Sequence, residues 1–182
     1  MAYFAGYMFN EGAGDLDPQE LSRRLTRIGS SFAGDARSES LHITFATPSA
    51  QRGEAFRLLK LAMQSPRFDP EPMERARRTA LASLEQERLD PGSIGWLRMA
   101  QLLYGPNRYA IPVKGTPEAV ARISADDVRA YRKRVFARDN LRVAVAGDID
   151  AATLATLLDD VFAMLPAKSE LRPAPAIAAA AV

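Results

Sequence analysis

The 182-residue chain has no cysteine, one histidine and one tryptophan. Without cysteine there is no disulfide, no thiolate zinc site and no cysteine nucleophile. The lone histidine, His42, lies between Leu41 and Ile43 in a strand-like stretch and reads as a surface or packing residue rather than a ligand. Strong charge of one sign is also missing. The 24 basic and 22 acidic residues leave a net charge of +2, so no field points to nucleic acid. No apolar run approaches the roughly 20 residues of a membrane span. No charged leader follows Met1, which says nothing about export if the segment belongs to a longer precursor. The compartment therefore stays open, periplasm or cytoplasm in a bacterium. No tandem repeat is visible.

What is present suits one domain with a substantial core. The chain is 47% hydrophobic, and a chain of this size buries roughly 70% of its unfolded surface. Asp17-Pro18-Gln19-Glu20 carries a helix start, with Asp17 as cap, Pro18 at the first position and Glu20 in capping-box spacing. Leu21, Leu25 and Ile28 mark one face, and Gly29 is the stop. Strands are expected at Ser31–Ala36 and Ser38–Thr47, the second alternating Leu41, Ile43 and Phe45 with His42 and Thr44. A helix over Pro48–Ser65 is followed by a turn and by a long helix from Asp69-Pro70 to about Leu89. Its Arg75, Arg77 and Arg78, with Arg88, read as a solvated face. Asp90-Pro91-Gly92 breaks the pattern, and Ile94, Leu97, Ala100 and Leu103 continue on a separate helix.

After a loop over Tyr104–Gly115, Thr116-Pro117 starts a short helix and Ser124 to Asp127 forms a capping box for the next. Leu141–Ala146 is expected as a strand, and Asp150 caps a last helix through Leu154, Leu158 and Phe162. The domain is placed at residues 1–166 and a Pro/Ala-rich linker or tail at 167–182. Long helices interrupted by a few strands give an α+β class, with an antiparallel-type sheet and helices packed on one face. Three strands are few for a sheet, which leaves room for a strand pair ahead of Met1 or for a further strand within the chain.

Several tempting signals have plainer explanations. Gly12-Ala13-Gly14 lacks the preceding strand and third glycine of a nucleotide loop and reads as a turn. The pairs Asp126-Asp127 and Asp159-Asp160 sit at helix ends, where capping or solvation accounts for them. Ser30 and Ser31 have no base beside them. Trp96 reads as a packing residue, with an interdomain contact as the other reading.

The opening stretch, MAYFAGYMFNEGAG, carries a resemblance. A His-x-x-Glu-His signature places two imidazoles on one helix face to share a metal. In the same frame this chain has Tyr3, Gly6 and Tyr7, then Met8-Phe9-Asn10-Glu11-Gly12-Ala13. Pro66-Arg67-Phe68, Glu74-Arg75-Ala76-Arg77, Asp90-Pro91, Tyr104-Gly105-Pro106-Asn107-Arg108-Tyr109, Lys114-Gly115-Thr116, Ile123 to Val128 and Asn140 to Asp148 then follow in order. Together they resemble one repeat of the insulinase/pitrilysin-type zinc metallopeptidases, the inverzincins, over nearly the whole chain up to Pro166.

The resemblance implies a family member without the family's chemistry. Tyr3 and Tyr7 stand where the histidine ligands belong and Gly6 where the base belongs. The third, carboxylate ligand falls near Ser83, with Glu85 and Glu87 close by. On this reading the chain has no catalytic, cofactor-binding or metal residue of its own, and zinc is expected in a catalytic partner half. Its implied role is to close a peptide-binding chamber beside a catalytic insulinase-like domain or subunit, with peptide substrate held in the assembled chamber and no nucleic acid partner. The alternative is a purely structural scaffold, as in the related respiratory-chain core proteins. A basic binding module built on Arg75, Arg77, Arg78 and Arg88 is a third, weaker reading.

Overall fold

In the computed structural model, which describes residues 1–171, the helix starts predicted at Asp17, Thr116, Ser124 and Asp150 appear with side-chain caps, whereas Asp69 makes no cap bond. The first helix, α1 (Ala2–Tyr7), runs into a 3₁₀ turn at Met8–Asn10. In α2 (Pro18–Arg27), the Asp17 carboxylate accepts the Glu20 amide at 2.8 Å. Glu20 does not reach back to complete the box. It pairs instead with Arg24 at 2.9 Å and Arg23 at 3.0 Å, one turn along. Gly29, at φ 63°, closes the helix: its amide donates to Thr26 and that of Ser30 to Leu25, so two end carbonyls are satisfied.

Strands β1 (Ser31–Ala36) and β2 (Leu41–Ala46) pair antiparallel, with Phe32 opposite Phe45 and Gly34 opposite Ile43. Along β2, Leu41, Ile43 and Phe45 are half-buried while His42, Thr44 and Ala46 are exposed. A period-2 pattern thus gives the sheet one covered face, as expected. The helices α3 (Arg52–Gln64), α4 (Pro70–Leu89), α5 (Pro91–Tyr104), α6 (Pro117–Arg122), α7 (Ala125–Val135) and α8 (Ala151–Phe162) complete the described chain. Ser124 and Asp127 form a reciprocal capping box at α7, and Asp150 accepts the Thr153 amide at 2.9 Å at α8.

The expected strand over Leu141–Ala146 does not form. The segment has no secondary structure, because among the described residues no strand pairs with it, and Val143 and Val145 are exposed. A strand sequence without a neighbour to hydrogen-bond remains irregular. Of the expected tail, residues 169 and 170 are tied back: the Ser169 amide donates to Asp139 at 3.0 Å and the Glu170 amide to Arg134 at 2.7 Å. Residues 172–182 lie outside the described residues.

Two hydrophobic clusters make the core. One joins Phe9, Ala13, Leu21, Phe32, Leu58 and Val161, and brings α8 onto α3. The Lys60–Asp160 ion pair, at 2.5 Å, and the Gln64 amide on the Val161 carbonyl, at 3.1 Å, fix that contact at its rim. The other cluster joins Phe4, Met8, Met73, Ala80, Val120 and Val128. The opening helix and its 3₁₀ turn supply side chains to both clusters, which sets α1 at their junction.

Candidate functional site

Tyr3, Gly6 and Tyr7, the positions singled out by the resemblance, lie in that junction. Tyr3 and Tyr7, four apart, share one helix face, their ring centroids 6.2 Å apart and tilted by 39°. Tyr3 also meets Phe4 edge-on at 5.8 Å, and both tyrosines pack against the second cluster. Burial, and secondarily the neighbouring Tyr7, pushes the Tyr3 phenol above its ordinary range. A phenol held protonated is a poor metal ligand.

Gly6 is fixed by packing. It lies against β1 at Gly34, where a Cβ on Gly34 would stand 2.4 Å from the Gly6 carbonyl oxygen. A Cβ on Gly6 would stand 3.0 Å from a Leu41 methyl and 3.2 Å from the Gly34 carbonyl group. Helix and strand therefore touch backbone to backbone, with no room for a long side chain pointing the same way.

The carboxylates near the expected third-ligand position are all partnered. The Ser83 hydroxyl donates to Glu87 at 3.2 Å, the Lys114 ammonium donates to the same Glu87 oxygen at 2.6 Å, and Glu85 holds Arg88 at 2.8 Å. Glu11, just past the motif, accepts from Arg75 at 2.5 Å and is largely buried. Two phenols, a glycine and a set of cation-paired carboxylates do not fit a catalytic zinc, which needs neutral imidazoles and an open position. Among the described residues no group of three or more His, Cys, Asp or Glu side chains could hold a metal ion. His42 lies exposed on the solvent face of β2, hydrogen-bonded to Ser40 at 2.8 Å.

Three features depart from the sequence reading or lie outside it. Arg78 and Arg88 of α4 are exposed as expected, but Arg75 and Arg77 are not simply solvated. Arg75 bridges Glu11 and Glu71, and Arg77 donates to the carbonyls of Val120, Ala121 and Ile123 at the end of α6. Nothing in the local sequence announces that a charged residue will serve a helix end 43 positions away. Arg132 of α7 is buried, donates to the Met63 carbonyl at 2.9 Å and lies 4.4 Å above the Phe136 ring. Burial lowers its pKa to about 10.

Third, Trp96 does not pack inside. It is 68% exposed, and Leu102 of the same helix is 71% exposed. Ile94, Met99 and Leu103 are exposed as well, and Ala100 is the one buried residue of α5. Leu89, Ile111 and Val113 extend the apolar surface on either side of α5 in sequence. A run of large exposed apolar residues of this kind marks an interaction surface.

Comparison with known proteins gives a consistent picture. The family model described as the peptidase M16 inactive domain matches residues 122–180. A Helicobacter pylori protein named non-peptidase homolog YmxG is 26% identical over 166 residues, covering 91% of this chain and 38% of that protein. A crystal structure of a peptidase M16 inactive domain from Pseudomonas fluorescens superposes with a TM-score of 0.89 at 23% identity, over 96% of this chain and 43% of that one. Pitrilysin superposes with a TM-score of 0.78 at 16% identity, over 97% of this chain and 19% of its own. The chain thus spans well under half the length of the relatives it matches.

Proposed function

We propose that this chain, an insulinase/pitrilysin-type domain of the inactive class, acts as the non-catalytic partner of a zinc-bearing half, closing a peptide-binding chamber. The single observation that carries the proposal is the apolar surface of α5. Trp96, Leu102 and their neighbours expose large side chains that a self-sufficient domain would bury. Aromatic and aliphatic anchors of that kind are what an interdomain contact uses. On this reading Tyr3, Gly6 and Tyr7 stand in the motif positions without its chemistry, and hydrolysis belongs to the partner.

The test is co-purification of the chain with its protein partners, followed by zinc analysis of the complex. Recovery with a polypeptide bearing an intact His-x-x-Glu-His motif, with zinc at one equivalent per pair, supports the proposal. Stoichiometric zinc and peptide cleavage by the isolated chain would refute it. A second reading, a purely structural scaffold, is favoured by the name of the Helicobacter pylori relative, a non-peptidase homologue. A stable complex with no motif-bearing member would select it.

A further inference from the structure

A cavity of about 560 Å³ lies between the end of α3, one face of α7 and the residues after α8, a size in the range of small-ligand sites. Arg129, Arg132 and Lys133 stand at positions i, i+3 and i+4, so α7 brings three cations to it on one face. No acidic side chain lines it, and its apolar part comes from Met63, Phe68 and Phe136. Like charges at these spacings repel along a helix, and the protein offsets them only in part. Arg129 pairs with Asp126 at 2.7 Å. Neither Arg132 nor Lys133 forms an ion pair among the described residues, and residues 172–182 contain no aspartate or glutamate.

Arg132 is the centre of the arrangement, with 8% of its surface exposed. It spends one donor on the Met63 carbonyl at 2.9 Å, and its guanidinium lies over the Phe136 ring. Among the described residues no buried side-chain nitrogen lacks a partner. The donors that Arg132 does not spend therefore reach open space, and the space it lines is this cavity. Burial is the one influence on its pKa, with no carboxylate acting against it. The end of α3 brings about half a negative charge and Asp126 a full one, so roughly one and a half of the three positive charges stay uncompensated.

We propose that this cavity binds an organic carboxylate carried on an apolar body, with the two oxygens held by Arg132, Lys133 at the mouth, and the body among Met63, Phe68 and Phe136. The planar guanidinium matches a carboxylate two bonds at a time. A single negative charge suits the residual positive charge. A phosphate dianion exceeds it and has nothing to set against the apolar wall. A neutral apolar ligand would leave a buried cation without a counter-charge. This inference does not depend on the proposed chamber role.

The test titrates the full chain with N-acetyl-leucine by calorimetry, beside N-acetyl-leucinamide, acetate and inorganic phosphate. The amide lacks the charge and should bind at least about thirtyfold more weakly, the loss expected when one partner of a buried charged pair is removed. Acetate lacks the body and should bind about tenfold more weakly. Arg132→Met should weaken N-acetyl-leucine binding by about thirtyfold, and Lys133→Met, on the exposed side, by about threefold. Should Arg132→Met fail to fold, the Nε–H resonance of Arg132 in the parent protein decides: it should shift with N-acetyl-leucine and stay in place with the amide. A tripeptide ending in the same leucine carboxylate separates the sources of the ligand while upholding the site: tighter binding than N-acetyl-leucine points to a peptide end, weaker or equal binding to a free acid. No saturable binding at millimolar N-acetyl-leucine, equal binding of the amide or of phosphate, or an Arg132 resonance unmoved at saturation overturns the proposal.

Discussion

The contact between Gly6 and Gly34 permits a sharp test of how α1 is held. In Gly34→Ala the new methyl would lie 2.4 Å from the Gly6 carbonyl oxygen, 2.7 Å from its Cα and 2.8 Å from its carbonyl carbon. All three are backbone atoms, so no side chain can swing aside. Ordinary carbon contacts begin near 3.5 Å, and α1 would have to withdraw by about 1 Å. A gap of that size forfeits a quarter to a half of each dispersion contact along the interface. The side chains affected are Phe4, Ala5 and Met8, each almost wholly buried. Overpacking typically costs about 1–3 kcal/mol, and a backbone clash belongs at the upper end. At about 2–4 °C per kcal/mol for a domain of this size, the melting temperature should fall by about 6–12 °C. Gly53→Ala is the matched control: it lies in α3 with nothing within 4 Å of a built Cβ. It should gain about 0.5–1 kcal/mol from helix propensity, moving the melt upward. Thermal denaturation by circular dichroism reads both. A Gly34→Ala melt within about 2 °C of the parent would show that the helix does not bear on the strand as described.

Other outcomes follow from the same geometry. Arg77→Ala removes the donors to three carbonyls at the α6 end and should cost about 1.5–3 kcal/mol in urea denaturation, more than Arg88→Ala on the exposed face. Asp127 and Asp150 are held below the usual carboxylate range, chiefly by the amides of Ser124 and Thr153 and then by their hydroxyls. A depressed folded pKa gives stability that is present above the unfolded value, near 3.9, and lost as pH falls through the folded one. The double variant Asp127→Asn, Asp150→Asn should therefore show a flatter loss of stability below about pH 4. Trp96, the one tryptophan, should be readily quenched by acrylamide in the isolated chain and become shielded, with blue-shifted emission, when the catalytic half binds. Unchanged quenching in a verified complex would place the contact elsewhere. Tyr3→His with Tyr7→His should still yield no peptidase activity, since Gly6 supplies no base and the α4 carboxylates remain paired.

Much of the helical layout was legible because caps and stops are local. Asp17, Ser124, Asp150 and Gly29 act within three residues of themselves, so the sequence alone marks their helix ends. The β1–β2 pair was legible from its alternation. Strand formation at 141–146 was not, because a strand needs a neighbour and the alternation says nothing about whether one is present. The α5 helix was legible as a helix but not in its burial. A face of Ile94, Leu97, Ala100 and Leu103 looks like a core stripe, and only the tertiary contacts show that Ala100 alone is enclosed. Of the α4 arginines read as solvated, Arg78 and Arg88 are exposed, but Arg75 and Arg77 were misread for a similar reason: Arg75 reaches Glu11, 64 residues away, and Arg77 finds its acceptors 43 to 46 residues away. At the motif positions, spacing placed Tyr3 and Tyr7 on one face, but the Gly34 contact that explains Gly6 is a long-range fact.

The opening helix, with its six residues from Ala2 to Tyr7, works as a keystone. Its own side chains and those of the turn that follows lock two separate masonry courses, so neither course stands once it is drawn out. Unfolding should consequently proceed in a single step rather than half by half. Proteolytic nicking within the first fourteen residues should collapse the entire domain, where a cut in an ordinary surface loop would be survived.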